Sequence, residues 1–217
     1  GRLDEAEASY MKAITLKPDY VEAHNNLGNT FNKLGRIEEA EASFRQVITL
    51  NPDYVEAYIN LSGILQTMGR LGEAKVILEQ AIALRPDNTY AHRHFTLLKK
   101  FVSKDEQYLK MQKLFLKKDI SEEQRCHINF ALAKASEDLG EFEHAFMHYS
   151  EGNAIRKNLL GYDISQDIIA FKQLKASYSR IEEKSLKFDS EINKKVPIFI
   201  VGMPRSGTTL VEQIITS

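Results

Sequence analysis

The sequence predicts a mainly α-helical chain made of a repeated helical hairpin, followed by a short strand–loop–helix of α/β character. Two observations carry this prediction. The chain matches itself when shifted from Gly1 to Gly35 and again to Gly69, and its final segment, 196–217, replaces helical spacing with a β-branched run and a glycine-bracketed turn. A hydrophobic content of 43%, a charged content of 27% and five prolines placed largely at helix ends fit a soluble, mostly helical chain.

The repeat is legible residue by residue. Gly1-Arg-Leu-Asp-Glu-Ala-Glu-Ala-Ser-Tyr10 aligns with Gly35-Arg-Ile-Glu-Glu-Ala-Glu-Ala-Ser-Phe44 and with Gly69-Arg-Leu-Gly-Glu-Ala-Lys-Val-Ile-Leu78. Each unit closes on Leu-x-Pro-Asp, at 16–19, 50–53 and 84–87, where proline cannot continue a helix. Asp19 with Glu22, and Asp53 with Glu56, have the spacing of a capping box and are expected to start the next helix. Small residues at Gly28 and Ser62 let the two helices of a hairpin approach, while Leu27, Leu34, Phe44 and Ile48 are expected to fill the space between hairpins.

With Phe31 or Leu65, Ala40 or Ala74 and Pro52 or Pro86 at fixed places in the unit, this pattern resembles the tetratricopeptide repeat. The resemblance implies a helical superhelix over 1–102. Asn26 and Asn60 hold the same place in consecutive units, on the first helix of each hairpin, which lines the concave face of such superhelices. A similar asparagine ladder holds substrate backbone in O-linked N-acetylglucosamine transferases, so the resemblance implies that Asn26 and Asn60 bind a protein or peptide through amide N–H and C=O groups. His94 breaks the ladder after two rungs.

From Ser103 the strict register fails, and 103–186 is expected to be a divergent, repeat-like helical region. Apolar residues at three- and four-residue steps predict helices from Lys104 to Leu116 and from Ser165 to Leu186. Between them, Phe130 to Phe146 restores a hairpin pattern with Gly140 at its turn, preceded by a capping box at Ser121 and Gln124. The lysines of 99–118 are read as a solvated helix face, with Leu109, Leu114, Phe115 and Leu116 as core positions. Polar, aperiodic 187–195 is the expected linker.

The last segment carries the chemistry. Ile198 to Val201 suits a buried strand, Gly202-Met-Pro-Arg-Ser-Gly207 a tight loop, and Thr208 to Ile215 a helix whose first N–H groups face that loop and favour an anion. The glycine spacing matches G-x-x-x-x-G-K-[ST], but Thr208 stands where a nucleotide kinase needs lysine, and the cation has moved into the loop as Arg205. Pro204-Arg-Ser-Gly-Thr-Thr209 resembles the 5′-phosphosulfate loop of sulfotransferases, with arginine as in the tyrosylprotein enzymes and in bacterial sulfotransferases that carry tetratricopeptide repeats.

That resemblance implies 3′-phosphoadenosine 5′-phosphosulfate as co-substrate, without a metal. It assigns Arg205, Ser206, Gly207, Thr208 and Thr209 to the 5′-phosphosulfate, with Arg205 stabilising charge on the departing nucleotide. It also implies that 196–217 is the truncated start of the sulfotransferase domain. The catalytic base and the 3′-phosphate site are then expected beyond Ser217, further repeats before Gly1, and no turnover from these 217 residues alone. A non-catalytic repeat scaffold is the alternative, and a kinase with a degenerate loop the third reading.

A formal net charge of −1 gives no general attraction to nucleic acid, and no apolar stretch reaches membrane-spanning length. The single cysteine, Cys126, is read as a packing residue in a reducing, cytoplasmic compartment. His144 and His148 lie four apart, but Ala145 stands where an H-E-x-x-H site needs glutamate, so they are read as ordinary surface or packing residues. No special role is expected of His92 or His94.

Overall fold

A computed structural model describes residues 2–184, with side chains through 177. Ten α-helices occur among the described residues: α1 (Arg2–Leu16), α2 (Val21–Lys33), α3 (Ile37–Leu50), α4 (Val55–Thr67), α5 (Leu71–Leu84), α6 (Thr89–Leu98), α7 (Glu106–Phe115), α8 (Glu122–Asp138), α9 (Phe142–Leu159) and α10 (Ile164–Lys184). They fall into two compact units, one ending at Tyr162 and the other beginning at Asp163. In the second unit the described element is α10, whose Ile164, Ile168, Phe171 and Leu174 are exposed. The expected linker 187–195 and the segment 196–217 lie outside the described residues.

The first unit is a helical superhelix in which the same turn makes the α2–α3, α4–α5 and α8–α9 hairpins. In α2–α3, Gly35 takes φ +76°, its N–H donates to the Asn32 carbonyl at 3.1 Å, and Arg36 N–H donates to the Phe31 carbonyl at 2.9 Å. This Schellman closure satisfies carbonyls that the helix end would leave orphaned, and the left-handed residue at its centre favours glycine. The closure recurs at Gly69 and Gly140, with Arg70 donating to Leu65 and Glu141 to Ser136.

Side-chain size then decides how closely each hairpin shuts. Gly28 sits against the Phe44 ring, where a Cβ would lie 2.9 Å from Cε1. Leu27, Phe31, Phe44, Leu61 and Leu65 form one buried cluster with Ala40 and Ala74 at its narrow places. Leu34 and Ile48, both expected as filler, are only partly buried. In α8–α9 the buried Ala133, seven residues before the turn glycine Gly140, holds the place of Gly28 and Ser62, and Gly152 on α9 adds a second close approach, since a Cβ on it would lie 3.3 Å from Asn129 Cβ.

The helix starts correct the sequence reading in one respect. Tyr20 and Tyr54, not Asp19 and Asp53, occupy the N-cap positions of α2 and α4, and neither helix has a side-chain cap. The aspartates lie one residue too early for a capping box, because the loop is held by another contact. His24 Nε2–H donates to the Pro18 carbonyl at 2.9 Å, Tyr58 Oη–H to Pro52 at 2.8 Å and His92 Nε2–H to Pro86 at 2.8 Å. One repeated side chain thus pins each proline loop to the helix that follows. Asn88 does cap α6, accepting from Ala91 N–H, and the Ser121–Gln124 box forms as its spacing predicts.

Ion pairs follow the same period. Arg36 contacts Glu7 at 2.7 Å and Glu39 at 2.5 Å, and Arg70 contacts Glu41 at 2.8 Å and Glu73 at 2.6 Å, so each arginine bridges its own helix to the hairpin before it. Beyond α6 the array changes. The Asp105-capped α7 buries Tyr108, Met111 and Leu114 against α8. Leu109 and Leu116, expected in the core, are exposed, because the helix turns its Tyr108–Met111–Leu114 stripe inward.

Candidate functional site

Asn26 on α2, Asn60 on α4 and His94 on α6 occupy equivalent places in successive repeats. Asn26 is exposed, and its carbonyl accepts from Thr30 Oγ1 at 2.9 Å. Asn60 is half-buried, and its Nδ2 donates to Asn25 Oδ1 at 3.2 Å. Asn25 rather than Asn26 therefore meets Asn60 across two hairpins. Sequence reasoning missed Asn25, although its position one residue before the repeated asparagine was a usable signal, since neighbouring first helices in such arrays stack with a lateral offset.

Further along the array α6 packs directly on α8, which brings a second group of polar side chains together. Tyr90 stacks near His94, with ring centroids 4.3 Å apart, and meets His127 edge-on at 4.9 Å. Arg93 lies 4.6 Å above the Phe130 ring and places Nη1 3.2 Å from His127 Nδ1. A cleft of about 540 Å³ opens beside them, with Arg85, Asp87, Asn88, Glu123, Gln124 and His127 in its lining. Burial, then the field of Arg93, hold both His94 and His127 below the ordinary histidine pKa, so both are neutral near pH 7. None of these residues was singled out from the sequence for this role. A tyrosine, an arginine and two histidines become a group only when α6 and α8 lie side by side.

The remaining polar residues are structural. His92, fully buried, accepts from Gln107 Nε2 at Nδ1 while donating to Pro86, an arrangement that needs the neutral ring. His148 is buried and its Nδ1–H donates to Asn129 Oδ1 at 2.8 Å, whereas His144 is exposed beside Glu141 at 3.3 Å. The two histidines thus point to different partners. Among the described residues no group of three or more histidine, cysteine or acidic side chains is placed to hold a metal ion. Cys126 is buried, 3.5 Å from the Gly152 carbonyl, and burial pushes its thiol pKa up, as befits a packing residue. No helix among the described residues is long and apolar enough to cross a membrane. Arg205, Ser206, Gly207, Thr208 and Thr209 lie outside the described residues.

Known proteins agree with this architecture. Tetratricopeptide-repeat family profiles match residues 1–35, 21–54 and 55–88. Residues 1–88 are tetratricopeptide repeats. The profile described as the sulfotransferase family matches residues 197–217. An uncharacterised protein of Aquifex aeolicus (strain VF5) is 30% identical over 113 residues, 52% of this chain and 15% of that protein, so the chain spans a small part of the relative's length. Among solved structures, MamA superposes with a TM-score of 0.54 at 20% identity, covering 74% of this chain and 92% of its own. YrrB, described as a tetratricopeptide-repeat protein with an unusual peptide-binding site, gives 0.51 at 18% identity, covering 71% and 78%. At these identities the likeness establishes the superhelical fold.

Proposed function

We propose that the protein is a sulfotransferase using 3′-phosphoadenosine 5′-phosphosulfate, in which the repeats hold an acceptor or a partner protein. The observation that carries this reading is a coincidence of position: the sulfotransferase family profile begins at residue 197 and covers the loop Gly202 to Thr209, whose residue types suit a phosphosulfate. As residue types, Arg205 offers a cation, Gly207 the freedom for close backbone approach, and Thr208 and Thr209 hydroxyl donors. Transfer of a sulfuryl group leaves charge on the bridging oxygen and the 5′-phosphate, and these donors are of the kind that stabilises it.

The repeats supply the other half of the reading. Their first-helix face carries amide and aromatic side chains, and YrrB, of similar fold, is described as having a peptide-binding site. A macromolecular ligand of this face, protein or peptide, fits the array better than a small molecule. The scaffold alternative is favoured by one observation, that the repeat profiles match residues 1–88 of the first unit.

Calorimetric titration of the whole protein with 3′-phosphoadenosine 5′-phosphate separates the two. Binding that Arg205→Ala weakens by about tenfold or more, as expected for loss of a charge-assisted contact, and that excess ATP barely disturbs, supports the sulfotransferase. Absence of binding leaves the scaffold.

A further inference from the structure

Among the arginines of the repeats, Arg36, Arg45, Arg70 and Arg85 are each ion-paired. Arg93 has no carboxylate within ion-pairing distance among the described residues; its neighbours are the face of Phe130 and Nδ1 of His127. A guanidinium can only donate, so His127 Nδ1 accepts, and the ring proton sits on Nε2, 3.9 Å from Glu123 Oε1. The Arg93–His127 bond therefore exists only while His127 is neutral. A proton arriving at Nδ1 removes the acceptor and sets two cations against each other, which frees the guanidinium donors from this bond.

The surroundings sharpen this. From α6 come Tyr90, Arg93 and His94; from α8 come Glu123, Cys126 and His127; from the last turn of α9 comes Arg156, whose charge is felt by Arg93 and His127. The carboxylates nearby are Glu123, which is 76% exposed against 14% for His127, and Asp87 in the lining of the adjoining cleft, where Arg85 also lies. The adjoining cleft gives an extended segment room to lie, and Asn88 and Gln124 offer it amide groups.

We propose that Arg93, His94 and His127 form a seat for the carboxylates of an acidic segment of a partner protein, opened when His127 takes up a proton. The proposal rests on the reading of the repeats as a partner-binding module and names its ligand chemistry. A bound carboxylate raises the pKa of both histidines, so binding takes up protons. Affinity is then greatest at low pH and is lost as pH rises through the bound-state values.

The test uses the 217-residue chain and two fluorescein-labelled peptides, hexaglutamate and hexaglutamine, followed by anisotropy at pH 6 and pH 8 with circular dichroism as a check on folding. Hexaglutamate is expected to bind at least about tenfold more tightly than hexaglutamine at pH 6, and to lose about tenfold by pH 8, the effect of a one-unit histidine shift. Arg93→Gln abolishes the preference at both pH values. His127→Gln, whose amide oxygen still accepts from Arg93 but does not titrate, reduces the dependence on pH to the part that His94 carries, and adding His94→Gln removes it. If Arg93→Gln loses its helical signal, Arg93→Lys keeps the stem over Phe130 but not the planar fork, and a reduced preference is expected. Equal binding of the two peptides, binding of neither, or a preference untouched at Arg93 overturns the proposal. Displacement of hexaglutamate by millimolar inorganic phosphate as readily as by unlabelled peptide overturns the peptide seat in favour of a simple anion site. None of these outcomes bears on nucleotide binding, so the sulfotransferase reading is tested separately.

Discussion

Replacing Gly28 by alanine sets two effects of similar size against each other. Gly28 lies inside α2, where alanine is favoured over glycine by about 1 kcal/mol. The new methyl, however, would lie 2.9, 3.0 and 3.1 Å from Cε1, Cζ and Cδ1 of Phe44. That ring is 1% exposed and packed among Leu27, Phe31 and Leu61, so it has no open side to retreat into. Overpacking of this kind costs about 1–3 kcal/mol, which leaves a net loss of about 1 kcal/mol. Gly63 in α4 is the control, because a Cβ there meets nothing within 4 Å. Gly63→Ala is expected to gain up to about 1 kcal/mol, which places the two variants about 2 kcal/mol apart. Urea denaturation followed by far-UV circular dichroism reads the difference as opposite shifts in midpoint at constant slope. Adding Phe44→Leu should remove most of the penalty of Gly28→Ala, since the shorter side chain vacates the contact. If Gly28→Ala stabilises the chain as much as Gly63→Ala does, the close approach at Phe44 is not what sets the helix spacing.

Two further outcomes follow from polar groups whose partners the fold fixes. Burial depresses the pKa of His92 and His148, so unfolded chain, with histidines near the ordinary 6.5, binds protons that the folded chain does not. Stability is therefore complete above about pH 6.5 and declines as pH falls through that value toward the folded pKa; thermal scans from pH 7.5 to 5 should show a falling midpoint, with a shallower fall in His92→Asn. Ser121→Ala removes the acceptor of the Gln124 N–H and should cost about 1 kcal/mol, read as a lower urea midpoint, whereas Asp53→Ala, whose side chain caps nothing, should cost much less.

Much of the fold is written locally. Glycines at 35, 69 and 140 specify left-handed turns, prolines at 18, 52 and 86 stop helices, and Gly28 opposite Phe44 sets a helix spacing, each within one period of the chain. The cap expected at Asp19 and Asp53 failed because the same spacing serves equally well one residue before a helix. What decided the start was the latch of His24, Tyr58 and His92 onto the proline carbonyls, a contact visible in the sequence only as a polar residue recurring every thirty-four. Similarly, α7 offers apolar residues on more than one side, and only its docking on α8 chose Tyr108, Met111 and Leu114 over Leu109 and Leu116.

By itself, then, the sequence determined the helical period, the turns, the hairpin packing and the residue types of the motif at 202–209, because each depends on neighbours within one repeat or one motif. Only the tertiary structure decided that Asn60 meets Asn25, and that Tyr90, Arg93 and His94 share a surface with His127. Those groupings depend on the lateral offset of one hairpin against the next and on the direct packing of α6 on α8, which are set by the summed fit of many side chains and carried by no single spacing in the chain.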